Sequence, residues 1–389
     1  MAFGDSKPMM RSAPRFFTVL DRYITHQLIG PFLFGVAAFS STLVSVGALF
    51  DLIRQMTEAG LPLSIAARIF LLRLPEFVSL SFPIATLLST LLVYSRLSND
   101  SELIALRSAG ISIYRLIAPA IVLSLLVSVM NFAFNEAIVP AAKYQASITL
   151  AQALKQDNPK FDEKNIVFNQ YRDDKQADGQ TTQVLDRIFY AQRFDGKQMK
   201  GLTVLDFSQA GLNQIITANS AVWNPNRDTW DFFDGTIYIV APNGSYRNIL
   251  KFDQQQIQLP RTPLDLATHK TDSSEMNIRE VQDYLQLVRQ SGDEKRARQL
   301  QLRIQQKIAF PFVCLMFGLS GAALGTRPQR GGRGTSFALC VLISFTYYLL
   351  SFVCDAFGRL EIFAPIVAAW LPTMAGLTAA TWLLVRAAR

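Results

Sequence analysis

Six long apolar stretches of this chain contain no Asp, Glu, Lys or Arg: 23–50, 77–95, 116–135, 308–326, 334–354 and 362–385, of 28, 19, 20, 19, 21 and 24 residues. A helix rises about 1.5 Å per residue, so about 20 apolar residues cross a hydrocarbon core of about 30 Å. Each run is therefore long enough to span a membrane. Half of all residues are hydrophobic and 17% are charged, and the 28 Phe sit mostly in these runs rather than at alternating or amphipathic spacing. A soluble globular enzyme is excluded.

The runs form two triplets, and the 172 residues from 136 to 307 between them hold no comparable apolar stretch. The spacing predicts three spans, a large aqueous insert, and three more spans. Of 38 basic and 30 acidic residues, 21 and 20 lie within 140–306, which leaves 17 and 10 elsewhere, so a net +7 of the formal +8 belongs to the membrane part. That basicity is not a nucleic-acid site, since the insert is nearly neutral and has no aromatic-rich basic groove.

Orientation follows from Lys and Arg near the span ends, which are retained on the cytoplasmic side. With the N-terminus inside, twelve fall on cytoplasmic segments, among them Arg22, Arg96, Arg107, Arg115, Arg327, Arg333 and Arg386, against Arg54, Arg68, Arg73 and Arg359 outside. Both termini are expected in the cytoplasm and the insert outside. The first apolar run is too long for a signal-peptide core, so it is read as an anchor. Phe16, Leu20, Tyr23 and Ile24 at helical spacing predict an interfacial helix over 15–27 that leads into the first span.

The expected organisation is thus a tail and interfacial helix (1–27), three spans (28–139), an external β domain (140–275), a helical connector (276–306) and three final spans (307–389). Pro75 and Pro83 interrupt the second span, either as a packing kink or as a hinge. In the insert, short β-branched and aromatic segments (165–171, 187–192, 201–207, 236–241) alternate with the turn signals Asp178-Gly179, Asp195-Gly196, Asn224-Pro225, Asp234-Gly235 and Asn243-Gly244. They predict an all-β sandwich, jelly roll or partly open barrel, with Trp223 and Trp230 packing across strands. The connector reads as two helices broken at Ser291-Gly292. Cys314, Cys340 and Cys354 all lie in the second triplet, so no disulfide framework is expected, and the isolated His26 and His269 make no metal site.

The segment 96–115 carries the most specific pattern. Asn99 followed by Glu102 reads as a helix start and Gly110 as its stop, giving a short helix over 99–110 that presents Leu103, Ile104 and Leu106 beside Glu102 and Arg107. Such an amphipathic helix suits a groove on a partner protein or the membrane surface. Nowhere is there a G-x-x-x-x-G-K-[ST] pattern, and the GGRG at 331–334 lacks its Lys-Ser/Thr pair, so energy from ATP would come from another subunit. No cofactor and no catalytic set is expected, and the six apolar runs carry no Asp, Glu, Lys or Arg for proton coupling. Arg54, Arg68 and Arg73 at the external rim are candidates for lipid phosphates, or simply snorkel to the interface.

Together, SELIALRSAGIS (101–112), RLPEF (73–77), NEAIVP (135–140) and KIAFPF (307–312) resemble the LptF/LptG (YjgP/YjgQ) permeases of the lipopolysaccharide exporter, over almost the whole chain. The resemblance implies an inner-membrane α-helical permease with a periplasmic jelly-roll domain and no enzymatic activity of its own. It also implies a second such permease as partner, of the same or a different type, and a cytoplasmic ATPase dimer (LptB-like) docked on the 99–110 helix at Glu102. Lipopolysaccharide as cargo and a periplasmic jelly-roll acceptor (LptA/LptC-like) follow from the same resemblance. So does a lateral gate where the first span, near Ala38, meets the partner's fifth span, near Ser344. The competing reading is a membrane scaffold or receptor whose β domain binds an envelope protein.

Overall fold

The structure, a computed structural model, describes residues 19–388 apart from 60, 154–161, 176–180, 196–197, 209–212, 225–226, 228, 241–245, 258–272, 291–292 and 328–331. The first half holds α1 (Val19–Val44), a π turn (Ser45–Leu49), α2 (Phe50–Ala59), α3 (Leu63–Asn99), α4 (Glu102–Ser108), α5 (Ile113–Ala133), a second π turn (Phe134–Ile138) and α6 (Val139–Ala153). Six strands follow: β1 (Asp162–Lys175), β2 (Thr181–Asp195), β3 (Met199–Asp206), β4 (Gln214–Asn224), β5 (Thr229–Val240) and β6 (Tyr246–Ile257). The second half holds α7 (Ile278–Gln290), α8 (Glu294–Ala309), α9 (Phe312–Gly325), α10 (Gly332–Arg359) and α11 (Pro365–Ala388).

Five helical stretches are long and apolar enough to cross a membrane, and α8 with α9, bent by 44° between them, make a sixth if counted as one span. The bend falls at Pro311, which has no N–H to donate, and the Pro311 carbonyl accepts a bond from Ser128 Oγ at 2.8 Å. The expected straight fourth span over 308–326 is thus a 14-residue apolar helix entered obliquely from a charged one. α3, by contrast, runs through Pro75 and Pro83 without a break. Residues 15–18 of the expected interfacial helix lie outside the described residues, and from Val19 onward that helix and the first span are continuous.

Close packing centres on α9. A Cβ on Gly321 would stand 2.1 Å from Thr90 Oγ1, and one on Gly325 2.7 Å from Tyr94 Cβ, so only hydrogen at these positions lets α9 lie against α3. Buried Leu87, Leu88 and Leu91 of α3 meet Val313, Met316 and Phe317 of α9 in one apolar cluster. The three cysteines are free and buried, in packing positions.

The insert is a single antiparallel sheet in the order β1-β2-β3-β4-β5-β6, each strand paired with its neighbour in sequence. Alternate residues face one side: Phe189 and Ala191, Leu202 and Val204, Ile216 and Ala218, Trp230 and Phe232 are buried. The same core takes in Val281, Tyr284 and Val288 of α7 and Leu300 and Ile304 of α8, so the helical connector covers the sheet's apolar face. Trp223 and Trp230 are register partners on β4 and β5 with ring centroids 5.5 Å apart, the cross-strand pair expected from sequence. Asp234-Gly235 is not a turn between strands. It sits inside β5, with Asp234 at φ +51° and a Gly235 Cβ position 2.2 Å from the Phe252 ring, so the ring lies over the bare glycine. Asp178-Gly179 and Asn243-Gly244 lie outside the described residues.

Asp206 ties β2, β3 and β4 together. Its carboxylate accepts from Ser208 N at 2.8 Å, Arg187 Nε at 3.1 Å and Gln214 Nε2 at 3.1 Å. Burial alone pushes its carboxyl up, but the Ser208 and Gln214 hydrogen bonds and the Arg187 charge outweigh it and hold the group below the usual carboxylate range.

Candidate functional site

Two polar junctions lie at opposite ends of the helical bundle. At the end away from the sheet, α4 links α3 to α5. It starts at Glu102 rather than at Asn99, which is instead the last residue of α3. Ser101 takes φ +60° and offers no side-chain cap, where two residues turn the chain from α3 into α4. The expected Asn99–Glu102 capping pair does not form, and the Glu102 carboxylate is directed elsewhere: Tyr23 Oη donates to its Oε2 at 3.0 Å.

The faces of α4 are divided by helical spacing. Leu103 is buried at 4% exposure and Leu106 half-buried, both packed against Ile24, Leu28, Ile113 and Leu116. Ile104, at 58% exposure, and Arg107 lie on the outward face. Of the three apolar residues expected on the presented surface, the structure leaves Ile104 fully outward and turns Leu103 into the bundle, because residues three apart share a helix face. Beside them, Arg115 Nη2 donates to Asp21 Oδ2 at 2.6 Å, with the Asp21 side chain at 9% exposure. Arg96 donates to Gln27 Oε1 and pairs with Asp100 at 3.9 Å.

At the sheet end, the π turn of 134–138 closes with Val139 N–H bonded to the Phe134 carbonyl, one residue wider than an α turn. Pro140 follows, and its missing N–H gives the wider turn a reason. The helix therefore continues to Ala153, beyond the boundary at 139 expected from the charge pattern. Asn135 points inward and donates to Ser79 Oγ at 2.5 Å and Asn131 Oδ1 at 2.8 Å. Glu136 accepts from Ile278 N at 2.9 and 3.1 Å at the start of α7, where Asn277 and Glu280 form a reciprocal cap at 2.8 and 3.0 Å. Lys143 pairs with Glu76 at 2.9 Å, and Lys307 donates to the Met276 carbonyl. Of these, Glu76, Asn135, Lys143 and Lys307 border a cavity of about 410 Å³, together with Arg303, Asp355 and Tyr348.

The remaining candidates are scattered. Arg54 and Arg68 are exposed and Arg73 is half-buried, on α2 and α3. Ala38 is half-buried on α1, while Ser344 on α10 is 6% exposed and faces the chain's own interior. The outward residues of α10 include Leu342, Phe345, Leu349 and Phe352. Sequence reasoning missed Asp21 as a partner of Arg115 and Glu136 as a partner of α7, since both contacts join residues far apart in the chain. The one available signal was a charge next to a span end.

Five or six spans, a sheet inserted in the middle of the chain and a short helix between the second and third spans make up a chain that one family model matches over nearly its whole length. The model for the lipopolysaccharide export system permease LptF/LptG matches residues 22–386. The chain belongs to the LptF/LptG family. A relative, the lipopolysaccharide export system permease protein LptG of Haemophilus influenzae, is 22% identical over 374 residues, covering 94% of this chain and 98% of that one. As an LptF/LptG member it is an inner-membrane permease subunit of a transporter and not itself an enzyme. Among the described residues no group of three or more His, Cys, Asp or Glu is placed to hold a metal ion.

Proposed function

We propose that this permease extracts lipopolysaccharide from the inner membrane and passes it to a periplasmic jelly-roll bridge (LptA/LptC-like), driven by a cytoplasmic ATPase dimer (LptB-like). In this reading both termini and α4 are cytoplasmic, the sheet is periplasmic, and a second LptF/LptG-type permease completes the cavity. The observation that carries it is α4: a seven-residue helix between two spans, fastened on one side by Leu103 and open on the other at Ile104 and Arg107. A connector that served only to turn the chain has no use for an outward isoleucine flanked by a fixed carboxylate.

The lipid route is proposed to lie along the exposed faces of α1 and α10, with Arg54, Arg68 and Arg73 as cations at headgroup level. Amphiphile transport suits such apolar walls with a cationic rim. Purification of the complex tests the whole reading. Wild-type permease should bring an ATPase with it and release lipopolysaccharide on ATP addition, and Glu102→Arg should lower ATPase retention by about tenfold, because it reverses a charge beside the docking face. A permease that purifies without any ATPase, and binds an envelope protein instead, overturns it in favour of a scaffold.

A further inference from the structure

The first turn of α1 and the coupling helix α4 are joined by contacts that neither the family nor the proposed function assigns a role. Tyr23 Oη donates to Glu102 Oε2 at 3.0 Å. Arg115 Nη2, at the start of α5, donates to the buried Asp21 Oδ2 at 2.6 Å. Ile24 and Leu28, on the same side of α1 as Asp21, are fully buried among Leu103, Ile113 and Leu116. Ser89 Oγ of α3 donates to the Leu28 carbonyl at 2.7 Å, so the next turn of α1 is tied down as well.

We propose that Tyr23 is a positioning residue that fastens the root of the first span to the coupling helix, while Asp21 holds that root to the start of α5, so that a displacement of α4 is handed directly to α1. The inference rests on the proposed docking of an ATPase on α4 and adds how the motion leaves that helix. α4 is too short to hold its own orientation, being two turns long with no side-chain cap at its start. Its placement is set by Leu103 from inside and by Glu102 at its first residue. Because the Ser101 conformation frees Glu102 from capping, one carboxylate oxygen is held by Tyr23, and Oε1 makes no hydrogen bond among the described residues. That oxygen is left for a cationic group of the ATPase. The same carboxylate thereby touches α4's partner and α1. α1 in turn runs unbroken from Val19 to Val44 with most of its surface uncovered, so a tilt at its root changes the position of an open face rather than of a packed core.

The test uses the permease pair with its ATPase in proteoliposomes containing lipopolysaccharide, measuring both ATP hydrolysed and lipopolysaccharide released to a soluble jelly-roll acceptor. Tyr23→Phe keeps the ring and removes the hydroxyl. It should leave ATPase retention and the thermal midpoint unchanged while lowering lipopolysaccharide released per ATP by about threefold to tenfold, the range for one hydrogen bond to a charged group. Glu102→Asp, which withdraws the carboxylate from Tyr23 without touching α1, should reproduce that ratio, and adding Tyr23→Phe to it should cause little further loss. A purely structural role for Tyr23 would shift assembly or the thermal midpoint and not the ratio, and that outcome overturns the proposal. So does an unchanged ratio in Tyr23→Phe, or a loss additive with Glu102→Asp. The two readings separate through Glu102→Arg: normal retention and transport there removes the docking assignment itself, whereas loss there with a wild-type ratio in Tyr23→Phe removes only the clasp.

Discussion

α3 and α1 are both apolar helices of membrane-spanning length, yet 72% of the most apolar window of α3 is buried inside the chain and only 17% of that of α1. α10 resembles α1, also at 17%. The difference shows that hydropathy identifies a span without saying what it faces. In α3, hydroxyl and small residues (Ser79, Ser81, Thr86, Ser89, Thr90) lie buried among leucines, where they bond to carbonyls and let neighbours approach closely. In α1 and α10, large residues such as Leu33, Phe34, Phe345 and Phe352 point outward. One helix is the chain's spine, and the other two are largely uncovered walls.

The sharpest way to break this comparison is to enlarge a glycine on each side of it. Gly321→Leu has no space against Thr90 and should abolish recovery of folded permease, as overpacking in a rigid core costs about 1–3 kcal/mol or more per site. Gly30→Leu on α1, where nothing lies within 4 Å of a Cβ, should purify at wild-type yield by size exclusion. Equal yields for the two would mean the spine is not where the structure places it.

A second, smaller effect concerns the walls themselves, if they form the proposed gate. Cysteines at Ala38 on one permease and at Phe345 on a second copy, or at the matching place of a different paired permease, should crosslink and block lipopolysaccharide release reversibly. A cysteine at Ser344, which faces inward, should crosslink far less. The reverse order would show that α10 presents its other side.

The smallest effects separate the two faces of α4. Leu103→Ala should lower stability by about 2–4 kcal/mol in thermal or denaturant unfolding, the range for emptying a buried leucine site. Ile104→Ala should leave stability within about 0.5 kcal/mol and instead reduce ATPase retention severalfold. If Leu103→Ala proves neutral to folding, α4 is not seated on the bundle as described.

Much of the architecture was legible in the sequence because charge is the strongest term in a membrane: the uncharged runs give the spans, and the β-branched segments give the sheet. The bend at Pro311 was not, since a proline breaks α3 at neither Pro75 nor Pro83, and which proline bends its helix depends on what packs around it. At the candidate site, spacing placed a short helix correctly between the second and third spans, but a capping pattern cannot reveal that Ser101 occupies a left-handed conformation. Nor does the pattern Leu103, Ile104, Leu106 tell which leucine faces the bundle until Ile24 and Leu28 of a distant segment are brought against it.

The wide turn at 134–138 has the geometry of a helix carrying one extra residue. Each residue of an α-helix turns the chain by about 100°. In the wide turn the bulge takes up the extra residue, so Lys143 keeps its place against Glu76 and the same side of α6 meets α3 on the way to the sheet, whereas one residue added or removed in the regular turns after Val139 would rotate the rest of α6 by about that angle. The alignment between bundle and sheet is thus held by a count, and a one-residue deletion there is a larger change than most substitutions.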